Sequence, residues 1–400
     1  MRELGIIDDG AVLVEDGVIR DVGPSRRVEN LAAAREADEI SADGRVVMPG
    51  FVDSRVYVVS GPPLLDEYEQ RVSGPFQEGF DGDELPEPAP AKALSSSSRP
   101  LLEMLAGKAV REFVRHGTTT IEARARDGLD DRTILKVLRA MRTVQRRPLD
   151  LEPTFFLGGG PESARAEADP GYLERLTTHS LAKIRRLGLA RFVDVRVGRG
   201  GHTPEWALEY LRAAQARGFL TRVTTTGSGP AGGAAWAAAA GAVSVSGLEY
   251  AGELTTRRLA DSATVAVLTP GVSYHRMRSS YPPARLLIDN GVAVALATGF
   301  ASHGCPSCSL PVILSLACTQ MRMTPAESVV AATINGAFAL GRAERAGSIE
   351  PGKDADLIML NASDYREIPY RFGMNLVAMV MKRGDIIYPR MDFARPTKSS

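Results

Sequence analysis

The sequence predicts an α/β protein: a (β/α)8 TIM-like barrel with a small β-sandwich-like domain formed from both termini. Two patterns predict the barrel. Eight short apolar runs occur at 46–57, 118–124, 151–157, 192–197, 219–225, 242–246, 264–269 and 292–298, and most intervals between them carry a helical pattern. Strands that alternate with helices build a parallel sheet, and eight of them close into a barrel whose active site lies at the C-terminal strand ends. A third pattern sets the chain ends apart, because each carries a pair of β-like runs split by a turn signal.

In chain order, Ala11–Val14 and Val18–Val22 flank the turn Glu15-Asp16-Gly17. The barrel is expected to run over 48–345, with 1–47 and 346–395 composing the small domain. Within the barrel, 78–99 is acidic, then Pro-rich, then Ser-rich, and reads as a mobile loop. Thr203-Pro204 opens a helix that should end at Arg217, because Gly218 follows it. Thr324-Pro325-Ala326-Glu327 is a capping box for a helix reaching about Leu340. The last pair, Val377–Met381 and Ile386–Tyr388, turns at Arg383-Gly384-Asp385.

Composition narrows the function. Forty-eight basic residues balance 48 acidic ones, which gives no field favouring nucleic acid or an anionic membrane. The three cysteines, Cys305, Cys308 and Cys318, are an odd and clustered set that suits a reducing cytosol. Asp8 and Asp9 interrupt the first apolar stretch, which argues against a signal peptide. A cytoplasmic location is expected.

The chemistry turns on residues 46–57, Val-Val-Met-Pro-Gly-Phe-Val-Asp-Ser-Arg-Val-Tyr. An apolar strand leading into Pro-Gly-x-x-Asp-x resembles the opening barrel strand of the amidohydrolase superfamily. The chain resembles imidazolonepropionases along nearly its full length. The resemblance is carried by Leu-Ala-Cys-Thr-Gln-Met-Arg-Met-Thr-Pro at 316–325, Val-Ala-Ala-Thr-Ile-Asn at 330–335, Gly-Ser-Ile-Glu-Pro-Gly-Lys at 347–353 and Asp-Tyr-Arg-Glu-Ile-Pro-Tyr at 364–370. It implies an amidohydrolase-type barrel and hydrolysis of the ring amide of imidazolone propionate. In that family one zinc or iron activates the water, held by two histidines on strand one, a third on strand five and an aspartate after strand eight.

At those four positions this chain has Arg55, Tyr57, Thr224 and Gly299. An active-site histidine after strand six is Gly247, and a substrate-contacting asparagine is Ala301. The strand-four Cys-Glu pair falls near Val197-Gly198, the run carrying the substrate tyrosine is Arg124 to Gly128, and a Gly-Ala-His segment is Gly158-Gly159-Gly160. Residues two apart in a strand share a face, so Arg55 and Tyr57 should both enter the barrel mouth. A guanidinium has no lone pair for a metal. With no convergent set of imidazole, thiolate or carboxylate donors at the strand ends, no metal and no other cofactor is expected.

The expected function is a metal-free, degenerate homologue without C–N hydrolase activity, a pseudoenzyme that binds a small molecule or a partner subunit. The resemblance implies a homodimer, or a heteromer with an active paralogue. The alternative is an enzyme acting on a small anionic substrate through Arg55, Tyr57, Arg124, Tyr274 and His275, with Cys305 and Cys308 as accessory thiols in a Cys-x-x-Cys before a helix. Arg55, Arg124 and Arg126 either hold that anion or fill the metal's space and pair with Asp53, Glu122 or Asp194. The remaining signals are read blandly. His202 decorates a helix start, Arg142, Arg146 and Arg147 form a solvated face, and Cys318 is a core thiol.

Overall fold

The computed structural model describes residues 1, 3–74, 88–125, 131–145, 148–158, 167–226, 233–302 and 304–389. The chain opens with a hairpin, β1 (Gly10–Glu15) and β2 (Val18–Pro24). Its turn residues Asp16 and Gly17 both have positive φ, 52° and 79°, the conformation that two-residue hairpin turns require.

The run 46–57, expected as one strand, is two. β3 (Val47–Pro49) joins an antiparallel sheet and β4 (Phe51–Val56) enters the barrel. Gly50 makes the switch where the backbone presses on Thr119, since a Cβ there would lie 2.3 Å from the Thr119 methyl. The next strands follow in order around one parallel sheet: β5 (Thr118–Arg124), β6 (Asp150–Leu157), β7 (Phe192–Gly198), β8 (Leu220–Thr226), β9 (Ser244–Ser246), β10 (Val265–Leu268) and β11 (Val294–Leu296). β5 and β6 are buried along their whole length, as strands covered on both faces must be. The circle closes where Tyr57 N–H donates to Phe300 C=O at 2.8 Å and Thr298 Oγ1 donates to Asp53 at 2.6 Å.

The C-terminal strands β12 (Leu357–Leu360), β13 (Val377–Lys382) and β14 (Asp385–Tyr388) complete a four-stranded antiparallel sheet with β3, in the order β14-β13-β12-β3. The N-terminal hairpin docks on it through Ile19 N–H to Lys353 C=O and Ala355 N–H to Gly17 C=O. Ile19, Ala355, Leu357 and Met381 bury the join. Among the described residues, no helix is long and apolar enough to cross a membrane.

Two local expectations are corrected. Residues 88–99 are not a loop: a helix spans Pro88–Ser96, and Ser98 caps the next one, Arg99–Arg115. Tertiary bonds overrode the Pro/Ser composition, because Leu94 enters the core and Lys136 Nζ holds the Ser95 and Ser97 carbonyls at 2.8 and 2.9 Å. Residues 78–87 lie outside the described residues. The helix begun by the Thr324 capping box breaks at Thr333, giving Pro325–Ala332 and Ile334–Ala339. The second piece packs so closely on β4 that a Cβ at Gly336 would sit 2.5 Å from the Val52 carbonyl.

Candidate functional site

Alternation along β5 turns Glu122 and Arg124 to one face, and alternation along β8 does the same for Arg222 and Thr224. Together with Asp194 of β7 they form a buried ionic cluster. Arg124 lies 2.9 Å from Glu122 and 2.9 Å from Asp194, with side-chain exposures of 2%, 0% and 1%. Its Nη1 also donates to Thr224 Oγ1 at 3.3 Å, and Thr224 Oγ1 donates to Asp194 at 3.0 Å. Arg222 reaches Glu122 at 3.0 Å from the other side and donates to the Ser54 carbonyl at 3.0 Å.

The electrostatics follow from this counting of partners. Burial pushes Glu122 up, but Arg124 and Arg222 outweigh it and hold the carboxyl below its usual range. Burial also pushes Asp194 up, and Arg124 pulls against it without overcoming it. Burial disfavours the Arg124 charge, yet Glu122 and Asp194 raise its pKa above the ordinary value. Asp53, wholly buried at the barrel seam, is pushed up to about 7 by burial despite its bonds from Thr298.

At the positions that the resemblance matches to metal ligands, the side chains present do not fit a divalent metal. Thr224 offers a hydroxyl already shared between Arg124 and Asp194. Gly299 and Gly247 have φ of 63° and 81°, and both are closed to side chains. A Cβ would meet Val272 Cγ2 at 2.5 Å in the first case and the Thr225 carbonyl at 1.9 Å in the second. Ala301 is buried. Arg55 and Tyr57 are half-buried, and the Arg124 guanidinium sits 5.8 Å from the Tyr57 ring centroid. Asp150, Asp354 and Asp356 do cluster elsewhere, but Lys382 Nζ lies among them, 2.9 Å from Asp150 and 2.5 Å from Asp356.

The other candidates are spread out. Arg55 acts on Asp194, as Arg124 does, and its Nε is buried without a hydrogen-bond partner. Arg126, Arg146, Arg147, Gly159, Gly160 and His303 lie outside the described residues. Tyr274 is exposed, whereas His275 stacks on Tyr68. Burial pushes the Cys305 thiol up to about 11 and the Cys308 thiol higher still, so the motif's start-of-helix position does not produce a thiolate.

Cys318 is half-buried, not a core thiol, with its Sγ 3.8 Å from the Ser328 hydroxyl. His202 is more than decoration. It is 2% exposed, lies 3.2 Å from Glu167 and stacks on Trp206, so it ties the segment at Glu167 to the Pro204–Gln215 helix. Arg142 is exposed, but it donates to the Leu187 carbonyl at 2.6 Å. Sequence reasoning missed Arg222 and the Asp53–Thr298 bond. A charged residue two before Thr224 in an alternating strand was the available signal for Arg222.

The barrel and its extra sheet are matched by a family model over residues 46–387, that of the amidohydrolase family. The chain belongs to the amidohydrolase family. Within it the chain is imidazolonepropionase-like. It is 37% identical over 390 residues to an imidazolonepropionase of Geobacillus thermodenitrificans (strain NG80-2), covering 97% of this chain and 92% of the relative. A second imidazolonepropionase, from Parabacteroides distasonis, is 36% identical over 387 residues, 96% of this chain and 93% of that one. Among solved structures, a 5-methylcytosine deaminase from Klebsiella pneumoniae superposes with a TM-score of 0.71 at 19% identity, covering 96% of both chains. An adenosine deaminase from Xanthomonas campestris with bound zinc gives 0.70 at 18%, covering 96% of this chain and 89% of that one. At such identities these two likenesses establish the shared amidohydrolase fold and nothing finer.

Proposed function

We propose that this amidohydrolase is a metal-free pseudoenzyme, without C–N hydrolase activity, that binds a small molecule or a partner subunit. One observation carries the reading. The Arg124 guanidinium is held between Glu122, Asp194 and Thr224, and Thr224 stands where the resemblance puts the third metal-ligating histidine. A fixed positive charge there pairs with the retained acids and repels a second cation. The backbone at 247 and 299 adds to this, because neither position has room for the side chain a ligand or base would need. Assembly as a homodimer, or with an active paralogue, belongs to the same proposal. A monomer by light scattering at micromolar concentration counts against that part.

The test is metal content together with turnover, on protein purified without chelators or metal-affinity resin. Less than about a tenth of an equivalent of zinc, iron or manganese, with no hydrolysis of imidazolone propionate, is expected. Close to one equivalent with measurable hydrolysis overturns the reading.

A further inference from the structure

The outer layer of the barrel carries a cavity of about 420 Å³ lined by Arg99, Arg139, Arg142, Thr143, Leu187 and Leu189. Three stretches of chain supply its walls. They are the start of the Arg99–Arg115 helix, the end of the Asp131–Thr143 helix and the turn that follows the Ala182–Arg186 helix. Residues three and four apart share a helix face, so Arg139, Arg142 and Thr143 stand together on the second helix. Like charges at that spacing repel and weaken the helix that carries them. Stability alone does not favour placing both arginines there.

The three arginines are held differently. Arg99 donates from Nε to Glu103 at 2.7 Å, so a carboxylate answers its charge. Arg142 donates from Nη1 to the Leu187 carbonyl at 2.6 Å, which fixes the guanidinium against the facing wall. A carbonyl is neutral, so that bond orients Arg142 without neutralising it, and no acid among the described residues pairs with it. Arg139 makes no hydrogen bond or ion pair among the described residues. None of the six lining residues is acidic, and the Thr143 hydroxyl already donates to the Ala140 carbonyl at 2.7 Å. Two unanswered guanidiniums therefore face one cavity, one of them oriented in advance. Their planar N–H forks match the oxygens of a phosphate group. The cavity is larger than a bare phosphate needs and has the size of a small-molecule site. Leu187 and Leu189 make the rest of its lining apolar.

We infer that this cavity on the outside of the barrel binds a small organic phosphate monoester. The phosphate accepts from Arg139 and Arg142, and the apolar body of the ligand lies against Leu187 and Leu189. Two uncompensated positive charges match the dianion of a monoester. A bare phosphate would satisfy the arginines and leave the leucine wall uncovered. The bound ligand bridges the Asp131–Thr143 helix and the turn at Leu187, and so reinforces the contact that Arg142 already makes. No residue of the site belongs to the Glu122–Arg124–Asp194 cluster, so the inference stands apart from the pseudoenzyme reading.

The experiment is calorimetric titration of the full chain at about pH 8, where a phosphate monoester is a dianion, with phenyl phosphate, inorganic phosphate and phenol as probes. Phenyl phosphate is expected to saturate one site and to bind several-fold tighter than inorganic phosphate. Phenol should give no saturation, and the affinity for phenyl phosphate should fall as salt is raised. Arg139→Gln and Arg142→Gln should each weaken binding about tenfold or more, and Arg139→Lys should retain part of it. Arg139 is exposed and makes no bond among the described residues, so Arg139→Gln should keep the wild-type urea midpoint. That control separates lost binding from lost folding. Absence of saturation by phenyl phosphate up to about 10 mM overturns the inference. An affinity unchanged in Arg139→Gln, or no tighter for phenyl phosphate than for inorganic phosphate, overturns it as well.

Discussion

Two clusters of buried acids, one inside the barrel and one at its floor, are neutralised by basic side chains, and they differ in completeness. At the floor, Asp150 at the start of β6 meets Asp354 and Asp356 beside β12, and Lys382 and Arg383 of the β13–β14 hairpin sit among them. Each of these acids has a cation within salt-bridge distance, with Arg345 serving Asp354. Inside the barrel, Arg124 and Arg222 do the same work for Glu122 and Asp194, yet Asp194 Oδ1 and Arg222 Nε are buried with no partner. The floor cluster is a finished clamp between two sheets. The interior cluster lies at the strand ends where this fold places its chemistry, and its unsatisfied atoms mark a region shaped for something other than stability alone.

The sharpest way to break the comparison is to remove Arg124. Arg124→Met removes the cation 2.9 Å from buried Asp194 and leaves only the weaker influence of Arg55 and Arg222, and breaking a buried pair on one side costs about 3–5 kcal/mol, to be read by urea unfolding. A loss below about 1 kcal/mol would show that the cluster is not ionised as described.

Lys382→Met at the floor should cost less, about 3 kcal/mol, because Arg383 still reaches Asp150 and its backbone N–H still donates to Asp356. If the two losses are equal, the interior cluster is as complete as the floor one.

Asp53 sharpens the comparison through pH. Its carboxyl is at about 7 in the folded chain against an ordinary 3.8, so its stabilising contribution is full below the lower value and is lost as pH rises to the higher. Asp53→Asn should therefore gain on the wild type by a few kcal/mol (order of magnitude) between about pH 4 and pH 7. Urea midpoints of both proteins across that range test it, and parallel curves would refute it. The smallest effect is expected at Arg345→Ala, below about 1 kcal/mol by thermal unfolding, since that guanidinium is 53% exposed and Arg383 also faces Asp354.

How legible all this was in the sequence depends on the range of the forces involved. The eight barrel strands stand in the alternation of apolar runs because each strand's burial is written in its own residues. The break at Gly50 was invisible, since it depends on Thr119 pressing from a strand 69 residues further on. The helix at 88–96 was hidden for the same reason, its carbonyls being held by Lys136. In the site, Arg55, Tyr57, Thr224 and Gly299 could be picked out one by one. Their relation could not: Arg124 and Thr224 are 100 residues apart and touch at 3.3 Å.

The sequence by itself determined the kind of fold and which residue types stand at the strand ends, among them Arg55, Tyr57, Thr224 and the acids Glu122 and Asp194, because donor chemistry is a property of residue type. Tertiary structure alone decided which cation answers which acid. It brought Arg222 in from β8 to share Glu122 with Arg124, set Lys382 among the floor aspartates, and pushed the Cys305 and Cys308 thiols away from ionisation. Those outcomes rest on burial and on distances of a few ångströms, and a charge in a low-dielectric interior is governed by both.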